Sequence, residues 1–154
     1  MKLFRLVCTE WAMKTCLSFN DILQVDQPQI DEMQRVGNSF PDGSTVEACT
    51  AFSRQVRRLE GFVVLTYGMA AASAKKADDL NEVAEIWGKM SNFCHSALQI
   101  LANLKDKYSQ CGTPELYDLV LDYKSAADKR RAGTLEEASC QKMELPKGLF
   151  PKLS

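Results

Sequence analysis

The segment from Leu80 to Tyr108 constrains the fold of this chain more than any other part of the sequence. Its apolar residues follow one another at alternating steps of three and four positions: Val83, Trp87, Met90, Cys94, Ala97, Leu101, Leu104 and Tyr108. This spacing places them along one side of an α-helix, as in the seam of a coiled coil. The bases Lys105 and Lys107 lie near the end of the segment, where a helix dipole favours them. The segment therefore predicts a long helix, and we refer to its apolar residues as the seam.

A second long helix is predicted before the seam. Ser44 is followed three positions later by Glu47, which is the sequence of a capping box at a helix start. Apolar residues then recur at every third or fourth position from Phe52 to Ala70, as expected for a helix that buries one side. The junction from Ala70 to Asp79 contains neither proline nor glycine, so the sequence allows either a hairpin or one continuous helix of about sixty residues.

A last helix is predicted after the seam. Gly112 is a typical helix end, and Thr113 with Pro114 supplies a cap and a first helical residue for the next helix. The apolar residues of that helix also have helical spacing: Leu116, Leu119, Tyr123, Ala126 and Ala127. Beyond Lys142, two prolines and a glycine predict an extended tail.

The beginning of the chain is predicted to form an amphipathic helix followed by a loop. Residues 2–23 carry apolar side chains at spacings that suit a helix with one broad apolar side. The stretch from Val25 to Gly43 contains Pro28, Gly37 and Pro41 among polar residues. Residues of this kind end regular structure, so we expect a loop there.

Together these elements predict an all-α fold, an antiparallel bundle of three long helices plus an N-terminal amphipathic helix. A continuous helix through residues 70–79 would instead give an elongated, coiled-coil-like rod. We expect three parts: the N-terminal helix and loop (1–43), the helical bundle (44–142) and the extended tail (143–154). A chain of 154 residues is long enough to bury such a core as one domain.

Composition and cysteine usage predict a cytoplasmic protein with free thiols. Arg5, Glu10 and Lys14 interrupt the apolar start that an export signal would need, and no segment is long and apolar enough to span a bilayer. The six cysteines form no CxxC pair, and a reducing compartment would keep them as thiols. The formal net charge of -1 provides no overall field for nucleic acid, which is not an expected partner.

The sequence offers little for catalysis. His95 is the only histidine of the chain, and its neighbour Cys94 would point about 100° away from it on a helix. Neither of the glycine-rich phosphate-binding patterns GxGxxG and GxxxxGK is present. We therefore predict that the chain is not an enzyme and uses no metal and no cofactor.

Two functions remain, and both depend on long helices. The first is a helical interaction or scaffold module, in which the seam packs within the chain and also against a protein partner or a second copy. The second is a peripheral membrane-binding module with an architecture of the BAR type, which would bind anionic lipids through basic residues. The basic residues form two clusters, a possible patch for an anionic partner: Arg54, Arg57, Arg58, Lys129, Arg130 and Arg131.

Overall fold

The computed structural model describes residues 17–144, which form four α-helices. In chain order these are α1 (Phe19–Ser39), α2 (Val46–Lys76), α3 (Leu80–Leu104) and α4 (Thr113–Glu144). No strand occurs in this part of the chain. The prediction of an all-α helical bundle is therefore confirmed.

The central pair of the bundle is α2 and α3, with α1 and α4 on opposite sides of it. Both outer helices pack against α2 and α3, and within the described residues they do not contact each other. α1 runs antiparallel to α2, because Asp26 meets Thr66 near one end and Gly37 approaches Phe52 near the other. α4 runs antiparallel to α3 and therefore parallel to α2.

The junction between α2 and α3 is a hairpin. α2 ends at Lys76, and Ala77 has the extended backbone angles φ -67° and ψ 140°. Asp79 then caps α3, because its carboxylate accepts a hydrogen bond of 2.7 Å from the backbone N–H of Glu82. Such a cap satisfies an amide that has no partner within its own helix. The alternative of one continuous helix through residues 70–79, and with it the rod, is therefore wrong.

The prediction of a loop from Val25 to Gly43 is wrong for most of its length. α1 continues through Pro28 as far as Ser39, and Gly37 is buried inside it. Residues 1–16, which hold most of the predicted N-terminal helix, lie outside the described residues. The predicted tail from residue 145 onward does so as well, and α4 extends two residues past Lys142.

A capping box at the start of α1 explains why this region is helical. The Ser18 hydroxyl accepts a hydrogen bond of 3.2 Å from the backbone N–H of Asp21, and the Asp21 carboxylate accepts one of 2.9 Å from the backbone N–H of Ser18. The helix then buries one apolar side, formed by Ile22, Ile30, Met33 and Val36. Burial of this side outweighs the backbone hydrogen bond that Pro28 cannot donate.

The start of α2 differs from its prediction by one residue. Thr45 is the cap, and its hydroxyl accepts a hydrogen bond of 3.1 Å from the backbone N–H of Ala48. Ser44 instead donates both its backbone N–H and its hydroxyl to the Asp42 carboxylate. The predicted capping box of Ser44 with Glu47 is therefore wrong, because Asp42 competes for the serine.

The seam lies at the centre of the core. Trp87, Met90, Leu101 and Tyr108 are almost completely buried. The Tyr108 ring stacks on Phe52 of α2 at a centroid distance of 3.9 Å. α3 ends at Leu104, one turn earlier than predicted, and Tyr108 joins the core from the turns that follow. Up to Leu104, the spacing that predicted α3 is the spacing by which it packs against its neighbours.

Two glycines with different surroundings give a pair of stability predictions. A Cβ atom added to Gly43, in the loop before α2, would overlap the backbone carbonyl of Lys107, whereas a Cβ atom added to Gly68 in α2 would meet open space. We expect Gly68→Ala to raise the free energy of unfolding by about 1 kcal/mol, because glycine weakens a helix interior. We expect Gly43→Ala to lower it by about 1 to 3 kcal/mol, because the loop must move. Urea unfolding of both variants checks these values, and a Gly43→Ala variant as stable as the parent would contradict this loop packing.

Candidate functional site

The predicted interaction seam packs within the chain. Val83 is half-buried, and the other predicted contact residues are buried: Trp87, Met90, Cys94, Leu101, Leu104 and Tyr108. Their partners are side chains of the neighbouring helices of the same chain. A protein that binds the folded chain must therefore use another surface.

The two predicted basic clusters are exposed but do not form one patch. Because α2 and α4 run parallel, Arg57 lies level with Glu115, whereas Arg130 lies level with Tyr67. Ten residues of α2 separate Arg57 from Tyr67, which corresponds to about 15 Å along the helix. The Arg54, Arg57 and Arg58 cluster is therefore well apart from the Lys129, Arg130 and Arg131 cluster.

Several of these basic side chains already have neighbours within the chain. The guanidinium of Arg130 lies 4.9 Å from the centroid of the Trp87 ring and 5.8 Å from that of Tyr67. Distances of this size are typical of cation–π interactions, which hold the guanidinium against the two aromatic rings. The hydrogen bond from Arg35 lowers the pKa of Glu32 on α1. The positive charge of Arg58 on α2 lowers this pKa a little further.

Two of the cysteines are joined, which corrects the prediction of free thiols for this pair. A disulfide links Cys49 near the start of α2 to Cys111 in the link before α4, with the Cα atoms 5.4 Å apart. Among the described cysteines, Cys94 is a buried thiol and Cys140 an exposed one. The pairing was not visible in the sequence, because it joins residues 62 positions apart that only the fold brings together.

The buried Cys94 thiol is chemically inert. Burial raises its pKa to about 12, against which the charge of Lys124 acts weakly. Because the thiolate is the nucleophilic form, such a thiol is unreactive near neutral pH. Nearby, the Asp128 carboxylate accepts hydrogen bonds from Lys124 and Ser91, and these lower its pKa. This cluster stabilises the contact between α3 and α4.

A buried carboxyl lies between α1 and α2. Asp26 is 1% exposed, and its Oδ2 accepts a hydrogen bond of 2.6 Å from the Thr66 hydroxyl. Its Oδ1 has no hydrogen-bond partner within the described residues. Burial raises the pKa of Asp26 to about 7, although the Thr66 hydrogen bond opposes the shift. Sequence reasoning missed this residue, although its four-residue spacing from Ile22 and Ile30 placed it on the apolar side of the helix.

The surface with the clearest apolar exposure lies on α4. Leu121 and Leu135 are each 45% exposed, and they lie on the same side of the helix, two heptads apart. The positions between and after them continue the spacing of four and three residues, and all are exposed except half-buried Asp128. We refer to this set as the α4 outer face: Leu121, Ser125, Asp128, Ala132, Leu135 and Ser139. The spacing of this face is visible in the sequence. Because most of its residues are small or polar, it is less conspicuous than the apolar residues of α4 that face the core.

None of the described helices is long and apolar enough to cross a membrane. Among the side chains of residues 17–141, no three of the types that bind metals lie close enough together to hold an ion. No protein-family model, curated protein sequence or solved structure matches this chain. The α4 outer face is the candidate site.

Proposed function

We propose that this chain is a non-enzymatic helical interaction module that associates with a second copy through the α4 outer face. The observation that carries this proposal is the exposure of the second half of α4. Over residues 113–141, Ala127 is the last buried residue of α4, and residues 128–141 are exposed or half-buried. This part of the helix therefore gains little from its own bundle.

A helix that has no packing partner has little stability of its own in water. A segment of about 12 to 15 residues is marginally helical in water even with a favourable sequence. Residues 128–141 are of this length and include Gly133, which lowers helix propensity further. Continuation from the packed half of α4 removes the cost of nucleation, but a packed partner supplies most of the stability of a helix.

A second copy fits this face by symmetry. A twofold axis level with Asp128 would place two α4 helices antiparallel, with Leu121 of each copy against Leu135 of the other, because both leucines lie seven residues from Asp128. Such contacts are self-complementary, as a twofold interface requires. The two Asp128 carboxylates would also lie near the axis, where each is held by Ser91 and Lys124 of its own chain, and the Lys124 ammonium balances its charge. The small residues Ser125 and Ala132 on either side of Asp128 allow the two helices to approach.

The size of the face predicts the strength of association. The face spans nineteen residues, from Leu121 to Ser139, or about 27 Å of helix. One such helix pair buries less than the roughly 1,200 Å² found in tight complexes. We therefore expect a reversible dimer with a dissociation constant in the micromolar range.

The other predictions about function have less support. A membrane-binding module would need both basic clusters on one surface to bind anionic lipids together. The separation of Arg57 from Arg130 argues against such a common surface. The cytoplasmic location rests on the sequence alone, and the Cys49–Cys111 disulfide favours a compartment that is not permanently reducing.

Substitution of Leu135 tests the proposal. We expect light scattering across a concentration series to show the molar mass of the parent protein rising from 17.2 kDa towards twice that value. Leu135→Asp should raise the dissociation constant by about 100-fold or more, because it places a carboxylate in both symmetric leucine layers. This variant should remain folded, since Leu135 is half exposed in the monomer.

Val46→Asp is the matched control. Val46 is an apolar residue 84% exposed at the start of α2, where an acidic side chain suits the helix dipole. This variant carries the same change of charge and should associate like the parent. A parent protein that remains at 17.2 kDa at the highest concentration would contradict the proposal, as would equal association of the Leu135→Asp variant.

A further inference from the structure

The buried Asp26 carboxyl occupies an unusual position for an acid. Acidic side chains are almost never fully buried without an ionic partner, because water stabilises their charge far better than the protein interior. The Asp26 side chain has a single hydrogen-bond donor, Thr66, and one oxygen without a partner among the described residues. The ionised form of this carboxyl therefore destabilises the contact between α1 and its neighbours.

No group around Asp26 compensates its charge. From α2 the facing group is the neutral Thr66 hydroxyl. From α3 it is the Cys94 thiol, whose own pKa the Asp26 charge raises. The charges of Lys124 and Asp128 of α4 act on the Cys94 thiol, whereas the pKa of Asp26 is shifted by its burial and by Thr66. Charge on Asp26 is thus balanced by no cation within the described part of the chain.

The helix that carries Asp26 is also the easiest one to detach. The disulfide closes a covalent loop from Cys49 to Cys111, which contains most of α2, all of α3 and the link to α4, whereas α1 lies outside it. α1 makes no contact with α4. Pro28, two residues after Asp26, interrupts the backbone hydrogen bonds of α1 and marks a point where the helix can bend.

The end of α1 makes two hydrogen bonds to the chain after α3, whereas its start makes one to α3, from the Lys89 ammonium to the Asn20 side-chain oxygen at 3.2 Å. The Tyr108 hydroxyl and the Lys107 ammonium both donate hydrogen bonds to the Gly37 carbonyl, at 2.6 and 2.8 Å. These two contacts lie beyond Pro28 and do not depend on Asp26. Detachment of α1 can therefore begin with the residues before Pro28 while the end of the helix stays in place.

We propose that Asp26 is a proton-controlled latch: the neutral carboxyl holds residues 19–27 against α2 and α3, and its ionisation releases them. Release uncovers the apolar surface that Phe19 and Ile22 cover in the closed state. The latch is independent of the proposed self-association, because α1 and the α4 outer face lie on opposite sides of the central helix pair.

The sign of the pH dependence follows from proton binding. In the closed state the pKa of Asp26 is about 7, whereas in the released, hydrated state it returns to its ordinary value of 3.8. The closed state therefore binds more protons between these two values, so a rise in pH favours release. The ratio of released to closed molecules should increase about tenfold per pH unit in that window and remain constant above it.

Hydrogen exchange followed by mass spectrometry, corrected for the intrinsic pH dependence of amide exchange, tests the latch in the intact chain. We expect the protection of residues 19–27 to fall by about fiftyfold between pH 5 and pH 7, while residues 30–39 and α3 change far less. In Asp26→Asn the protection of residues 19–27 should not depend on pH. Asp31→Asn, which removes an exposed carboxyl from the same helix, should behave like the parent.

Three results would overturn the latch. The first is protection of residues 19–27 that does not change with pH in the parent. The second is a fall of the same size in α3, which would mean that the whole bundle opens. The third is an unchanged pH dependence in Asp26→Asn. The first two results are read from the parent alone, so the test holds even if the variant folds poorly.

Discussion

Replacement of Leu101 by Asp should unfold the chain. Leu101 is completely buried at the centre of the seam. The substitution removes a leucine side chain from the core, which alone costs about 2 to 5 kcal/mol, and places there a carboxylate with no partner. Since a domain of this size is typically stable by about 5 to 15 kcal/mol, we expect the circular dichroism signal of helix to be largely lost at 25 °C.

Leu135→Asp is the matched control for this result. It introduces the same carboxylate in place of the same residue type, but at a half-exposed position on α4. We expect this variant to keep the helical signal of the parent, with a free energy of unfolding within about 1 kcal/mol of the parent value. A folded Leu101→Asp variant would contradict the central position of the seam in the core.

Reduction of the Cys49–Cys111 disulfide should lower the free energy of unfolding by about 4 kcal/mol. The bond closes a loop of 62 residues, and a loop of that length restricts the unfolded chain strongly in the chain-entropy account. Guanidinium unfolding with and without a thiol reductant measures the change. Cys49→Ala should reproduce it without a reductant.

Cys140→Ser is the control that distinguishes loss of the disulfide from other effects of the reductant on the protein. Cys140 is an exposed thiol near the end of α4. Its substitution should leave the unfolding midpoint unchanged in both the presence and the absence of reductant. Equal midpoints for the oxidised and reduced parent would show that the disulfide does not contribute to stability.

The parts of the fold that the sequence predicted well are those governed by long, regular patterns. The helical spacing of the seam predicted α3, and the structure buries Trp87, Leu101 and Tyr108 in the core. The predicted end of this helix at Gly112 is wrong, because α3 ends at Leu104 and Gly112, with φ +83°, instead ends the link before α4. A hydrophobic pattern that extends over many residues therefore predicts the helix itself correctly, because tertiary contacts do not override it.

α1 shows how a local signal can mislead. Pro28 and Gly37 are turn formers, but each occupies a position that the helix tolerates: Pro28 lies on its exposed side, and Gly37 packs against Leu104. The capping box of Ser18 with Asp21 marks the start of α1, but the prediction missed it because the helical spacing over residues 2–23 runs through Ser18.

The candidate site was only partly predictable. Helical spacing could place Leu121 and Leu135 on one side of α4, but whether that side faces the core depends on where α3 packs. The separation of Arg57 from Arg130 and the burial of Asp26 depend on tertiary packing in the same way. The disulfide depends on a contact between distant segments that no local pattern encodes.

A distance between two copies tests the proposed self-association most directly. Cys140 can carry a spin label in a variant with Cys8→Ser and Cys16→Ser, because Cys94 is buried and its thiol unreactive. Antiparallel α4 helices centred on Asp128 place the two Cys140 residues about 36 Å apart, since each lies twelve residues from the axis. Pulsed electron paramagnetic resonance should give a distance near this value between the two spin labels, and this distance should be absent in Leu135→Asp. A distance near 10 Å, as parallel helices would give, or no intermolecular distance at all would contradict the proposed dimer.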